Sequence, residues 1–434
     1  MHEVMRRRTG GRTPRNARMA AFGAAIVVCA GISACNRTPA GPSVPEVLNT
    51  YRQIAELAYA EALETAVALQ ASVDALIREP SPATLDTARS AWRAARVPYA
   101  QTEALRFGNW FVDEWETRIN AWPVDEGFLD YVAPATVAGL TNPHAELNLV
   151  SREQAQIGAR TVVTTRITPL LLRSLQALGD IEANVATGYH AIEFLLWGQD
   201  LNGHGPGAGQ RPWTDFATRA EQCTDGERPA PLAHCQRRGE ILQAQLEHLI
   251  RELAEMRARW ADHPGSYGDR LVKGDPDEGL RRVLFGLASM SGGELAGERM
   301  EVALLAQSPE EEQDCFSDDT HHSHYYNALG VQNFYTGRYK GAQIGPSLQA
   351  LAQARFPALA SQLDQAFAKT QQALAAIRER GEQGERFDQL IAPDNRSGHA
   401  LIRNAITALQ QQTRQLEALG QALQLGSLNP QAPK

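Results

Sequence analysis

Long apolar runs are almost missing from this chain of 434 residues. The one that exists, residues 19–31, is only about thirteen residues long, whereas a membrane-spanning helix needs about 20. Alternating β-branched runs are scarce too, which leaves little material for strands. An excess of positive charge is lacking: 42 Lys and Arg stand against 50 Asp and Glu. That acidic balance argues against nucleic acid as a partner and suits cations. No Gly-x-Ser-x-Gly, P-loop or Cys-x-x-Cys occurs, which removes three familiar kinds of nucleophile, phosphate or dithiol chemistry. Cysteine is sparse, with five in all.

The first 34 residues read as an address rather than a fold. Arg6, Arg7, Arg8, Arg12, Arg15 and Arg18 form a basic stretch, residues 19–31 an apolar one, and Ile32-Ser33-Ala34-Cys35 puts small residues before a cysteine. That order is an export signal. It resembles a lipobox with isoleucine in place of the commoner leucine. Cleavage before Cys35 and lipidation of its sulfur would tether the chain to a membrane, facing the periplasm or the cell surface. Asn36 resembles a signal for outer-membrane sorting; ordinary cleavage to a soluble periplasmic protein is the other reading. Loss of the segment removes six arginines and one glutamate, so the net charge falls from −8 by five to −13. Cys223 and Cys235 bracket a polar loop containing Asp225-Gly226 and Pro229, which suits a local disulfide in an oxidising compartment. Cys315 then remains as a small packing residue, with metal or redox chemistry as the other reading.

Helical periodicity is what the chain has in plenty. Over residues 47–77, Leu48, Tyr51, Ile54, Ala55, Ala58, Ala62, Val67, Leu69, Val73 and Leu76 make one apolar stripe. Ser81-Pro82 offers an N-cap with proline at the first helical position, starting a second helix that runs to about residue 105. Further helices are expected at 146–166, 169–178, 184–197, 234–261, 276–306, 321–334, 345–379 and 396–424. The fold class is therefore all-α, and the length calls for two packed helical bundles. A tether at 35–45 leads into a first bundle over 46–201. A Gly/Pro-rich connection follows at 202–231, then a second bundle over 232–424 and a tail at 425–434. Residues 46–107 and 234–300 both read as a long helix, a linker and a second helix with a polar end. Each is followed by a helix carrying a histidine, His190 or His321. This is either a pseudo-twofold repeat or coincidence among alanine-rich helices.

Four polar helix ends stand out. In Gly188-Tyr189-His190-Ala191-Ile192-Glu193, imidazole and carboxylate share one helical face in apolar surroundings, so both can reach a single ion. Glu103 and Arg106 fall on adjacent turns. Glu294, Glu298 and Arg299 follow two glycines that admit tight packing. Residues 314–324 place three histidines beside three aspartates, among which Asp318 and His321 are expected to face the site and His322 and His324 solvent. The plainer readings are a bonded core histidine, buried salt bridges and a helix cap with surface histidines.

At these segments the chain resembles the imelysin family of bacterial cell-envelope proteins. Gly188-Tyr189-His190-Ala191-Ile192-Glu193 matches the family's Gly-x-His-x-x-Glu signature. Pro98-Tyr99-Ala100-Gln101-Thr102-Glu103, Gly293-Glu294-Leu295-Ala296-Gly297-Glu298-Arg299-Met300 and Cys315-Phe316-Ser317-Asp318-Asp319-Thr320-His321 match in order, and the resemblance is strongest to the iron-regulated branch. Asp319 departs from the family's frequent asparagine. The resemblance implies two helical bundles with a site at their interface and a link to iron acquisition, with envelope iron-uptake proteins as partners. It also carries a metallopeptidase label. On that reading His190 and Glu193 hold a metal, iron first and zinc second, with Glu103, Arg106, Glu294, Glu298, Arg299, Asp318 and His321 around it.

A zinc peptidase needs three protein ligands, an open water position and a free base. If Glu193 is a ligand, it is not that base; if the protein is a peptidase, Glu193 is the candidate for the role. A binding site requires less, because facing helices can present Glu and His inward to hold iron. The expected function is thus a lipid-anchored envelope protein binding metal in iron acquisition. The alternatives are a zinc-dependent metallopeptidase and a non-catalytic protein–protein adaptor.

Overall fold

A computed structural model describes residues 41–133, 142–157 and 160–430. The signal segment and Cys35 lie outside the described residues. The molecule is mostly helical, as expected, with three two-stranded antiparallel hairpins as the only sheet among the described residues.

Helix α1, Val44–Arg78, starts where the Ser43 N–H donates to the Glu46 carboxylate at 2.8 Å, a side chain satisfying an orphan helix-start donor. Its stripe is buried as the periodicity requires, except that Val67 faces solvent and Ala66 takes the inward position. Helix α2, Pro82–Thr102, begins at the expected cap, where the Thr84 N–H donates to Ser81 Oγ at 3.2 Å. Helices α3, Tyr189–Trp197, and α4, Leu232–Trp260, follow; α4 packs along α1 and touches α3. The segment assigned from sequence to the second bundle therefore lies against the first helix of the chain. Helix α5, Pro276–Ser289, runs without a break into a π-helical stretch, Met290–Glu301. Helix α6, Thr320–Thr336, packs on α2 and on α7, Pro357–Glu382, while α8, Arg396–Ala422, packs on α7 and on the π-helical stretch. One continuous apolar core runs through these elements.

Several expected helices differ. Residues 146–166 form turns and the hairpin Gln154–Ile157 with Arg160–Val163, because the β-branched run Thr161-Val162-Val163-Thr164-Thr165 favours strand over helix. The stretch 345–379 is broken at Phe356-Pro357 into Leu348–Arg355 and α7, as expected before a proline. Helix α3 starts at Tyr189 rather than residue 184, because Gly188 has φ +98°. The connection at 202–231 is pinned to the body: Arg211 reaches Asp130 at 2.7 Å and Asp215 at 2.9 Å, and Arg238 reaches Asp130 at 2.6 Å. The expected Cys223–Cys235 disulfide is present, with the Cα atoms 6.1 Å apart.

Candidate metal centre

Gly188 fixes where α3 begins. A Cβ there would sit 2.4 Å from the Ile119 carbonyl carbon, and the Tyr189 N–H donates to that carbonyl at 2.7 Å. Trp92 on α2 donates its indole N–H to the Tyr189 carbonyl at 2.9 Å. With its first turn held this way, α3 turns His190 and Glu193 inward, and both are buried.

His190 Nδ1 lies 2.9 Å from Glu193 Oε2 and 3.8 Å from Asp314 Oδ1. The other Glu193 oxygen accepts from the Ser317 N–H at 3.0 Å and its hydroxyl at 2.7 Å. Asp314 also meets the buried Arg96 guanidinium at 3.1 Å, which in turn donates to Asn120 and Ser323. His190 Nε2 is buried and has no partner. Burial holds the imidazole well below its usual pKa, helped by the charges of Arg96 and Arg299. Burial also drives the Glu193 carboxyl up, helped by Asp314. The pair therefore favours neutral forms until something replaces a proton.

A second cluster adjoins this one. Arg299 donates to Glu103 at 2.5 Å, to Glu294 at 2.8 and 2.9 Å, to Gln313 at 3.0 Å and to Asn327 at 2.9 Å. Arg106 donates to Glu294 at 3.0 Å and Asp113 at 2.7 Å. The two polar helix ends thus exchange pairs, Glu103 with Arg299 and Arg106 with Glu294. Burial alone would lower the Arg299 pKa, but Glu103 and Glu294 outweigh it and raise it. Glu298, expected around the site with Glu294 and Arg299, joins neither cluster and is half-buried. Widening to i→i+5 bonding puts Arg299, five residues on, over Glu294 instead.

The expected Asp318 and His321 face elsewhere. Asp318 adopts φ +52° and lines a cleft with Glu312 and Asp388 instead. His321 Nε2 meets Arg386 at 3.1 Å, and burial pushes its pKa down to about 3. Asp319, His321 and His322 can bring ligand atoms within 4.8 Å of one another. Asp319, however, is paired with Arg93 at 3.2 Å, so two guanidiniums guard that group. His324, expected to face solvent, is fully buried with both ring nitrogens unpartnered, edge-on to Phe387.

Sequence reasoning missed Asp314 as His190's neighbour, and Arg96 and Ser317 as the groups holding the two acids. Arg96 carried a signal, since it falls between Trp92 and Tyr99 on the buried face of α2, where an arginine needs a buried acid. Asp314, Ser317 and the His190–Glu193 pair come together only through the tertiary fold.

His190, Glu193 and Asp314 offer ligand atoms within 4.8 Å of one another. One imidazole, with its Nδ1 facing two buried carboxylates, makes a donor set that fits iron or zinc.

Fold and site define a mostly helical protein with a buried histidine–carboxylate cluster presented by a short glycine-bounded helix. The Imelysin family model matches residues 55–416, and the chain belongs to the imelysin family. It is 25% identical over 365 residues to iron-regulated protein A of Synechococcus elongatus, covering 81% of this chain and 82% of that protein. A solved structure described as an iron-regulated protein A precursor from Parabacteroides distasonis superposes with a TM-score of 0.60 at 19% identity, over 88% of this chain and 96% of that one. An imelysin-like protein from Psychrobacter arcticum gives 0.50 at 15% identity, over 87% and 96%.

Proposed function

We propose that this protein is a cell-envelope imelysin that binds a metal ion through His190, Glu193 and Asp314 in iron acquisition, with iron the favoured ion and zinc the second. The observation that carries the reading is the buried His190 ring, whose Nδ1 faces the Glu193 and Asp314 carboxylates in one cluster of possible ligand atoms. The relative named for iron regulation supports iron. Arg96 positions Asp314, and Ser317 holds Glu193, the kind of outer support that metal ligands typically have. Tethering through Cys35 would hold the protein at the membrane, outer membrane first, near envelope iron-uptake proteins.

Binding is favoured over peptidase activity because Glu193 is tied down by three hydrogen-bonding groups and is poorly placed as a free base. Equilibrium dialysis against Fe(II) and Zn(II) should give one tight site that weakens at least tenfold in His190→Ala, with no peptide cleavage. Cleavage that disappears in Glu193→Gln would select the peptidase instead. Absence of any metal binding would select an adaptor.

A further inference from the structure

The loop that delivers Asp314 and Ser317 to His190 also borders a second acidic space. Glu126, Asp200, Glu310, Glu312, Asp318 and Asp388 line a narrow cleft. Such a cluster is unremarkable on a surface, where water solvates each charge. Here three of the six are buried: Glu312 is 1% exposed, Asp388 2% and Asp318 3%. No close hydrogen bond reaches either carboxylate oxygen of Glu312 or of Asp388, or one oxygen of Asp318; the Thr320 side chain beside Glu312 and the Gln389 N–H beside Asp388 only partly offset burial. Leaving buried carboxylates without partners is costly, so interiors normally supply a cation or donors.

The neighbouring groups do little to offset them. Arg386 touches Asp318 at its backbone carbonyl, at 3.4 Å, and its charge with that of Arg93 is outweighed by burial and the Asp388 and Asp200 charges. His204 uses both ring nitrogens on the backbone carbonyls of Asp388 and Gln307, at 2.8 and 3.1 Å. Glu126 accepts one bond from Gln199 at 3.1 Å, yet burial and then the Glu310 charge push its pKa up to about 8.

We propose that this cleft is a second cation site, which takes a hard divalent ion such as Ca²⁺, Mg²⁺ or Mn²⁺ on oxygen donors alone. Carboxylates without imidazole or thiolate are the donor set for that ion class, unlike the mixed donors around His190. Cys315 also borders the cleft, but it is a single sulfur among six carboxylates, so oxygen donors dominate the lining. The inference stands without the His190 reading. Occupancy would brace the loop carrying Asp314 and Ser317 from its other side.

Mn²⁺ binding to the full-length protein, followed by electron paramagnetic resonance, tests it. One Mn²⁺ site should persist in His190→Ala and weaken at least tenfold in the double variant Glu312→Gln/Asp388→Asn. Failure of the wild type to bind Mn²⁺, loss of all Mn²⁺ in His190→Ala, or unchanged affinity in the double variant would overturn the proposal. If the double variant does not fold, Asp200→Asn/Glu310→Gln alters the more exposed wall. Weaker Mn²⁺ binding there supports the site, and unchanged binding overturns it.

Discussion

Arg299 uses all three guanidinium nitrogens on four side chains, whereas His190 uses one of its two. That difference separates a structural cluster from a binding one. Arg299→Met should remove the partner of Glu103 and half the neutralisation of Glu294, at a cost of about 3–5 kcal/mol, as expected for breaking a buried ion pair. Urea denaturation would show it as a large fall in midpoint, and a fall below about 1 kcal/mol would show that the cluster is not a stabilising network. His190 and Glu193 were legible from sequence because three residues along a helix is a short-range relation. Asp314 was not, because it reaches His190 across more than a hundred residues of chain. Asp318, one of the neighbours expected from sequence, lines a different cleft and has a left-handed backbone angle that the residue order does not reveal.

At the scale of elements, the short helix α3 depends on Gly188. Its φ of +98° and a would-be Cβ 2.4 Å from the Ile119 backbone both oppose any side chain. Gly188→Ala should therefore destabilise by more than about 2 kcal/mol, combining backbone strain with a steric clash, and should weaken metal binding as His190 shifts. An unchanged melting temperature would show that α3 starts some other way. Long amphipathic helices were readable because their periodicity extends over many turns and their caps are local. The π-helical stretch was not, since widened bonding leaves no mark on the apolar pattern. The 146–166 hairpin shows the opposite failure, in which apolar spacing suggested a helix while β-branched content favoured strand.

Across the whole molecule, no helix among the described residues is long and apolar enough to cross a membrane. Membrane attachment through Cys35 is thus testable on its own: Cys35→Ser should move the protein from the membrane to the soluble fraction, and unchanged partitioning would argue against the anchor. Buried acids set the pH response. Burial, then the Glu310 charge, raises the Glu126 carboxyl from 4.5 to about 8, against a bond from Gln199 that lowers it. The folded state thus prefers its neutral form. The stability it contributes is fully present below pH about 4.5 and is lost as pH rises through 8. In chelator, Glu126→Gln should lose less melting temperature than wild type between pH 5 and 8; equal losses would mean that Glu126 ionises normally. The central claim is the ion at His190, and an anomalous scattering map of crystals grown from protein purified without chelators tests it most directly. The account predicts an iron or zinc peak within about 2–2.5 Å of His190, Glu193 and Asp314, absent in His190→Ala. A metal-free cluster with its hydrogen bonds intact, or a peak that survives His190→Ala, would contradict it.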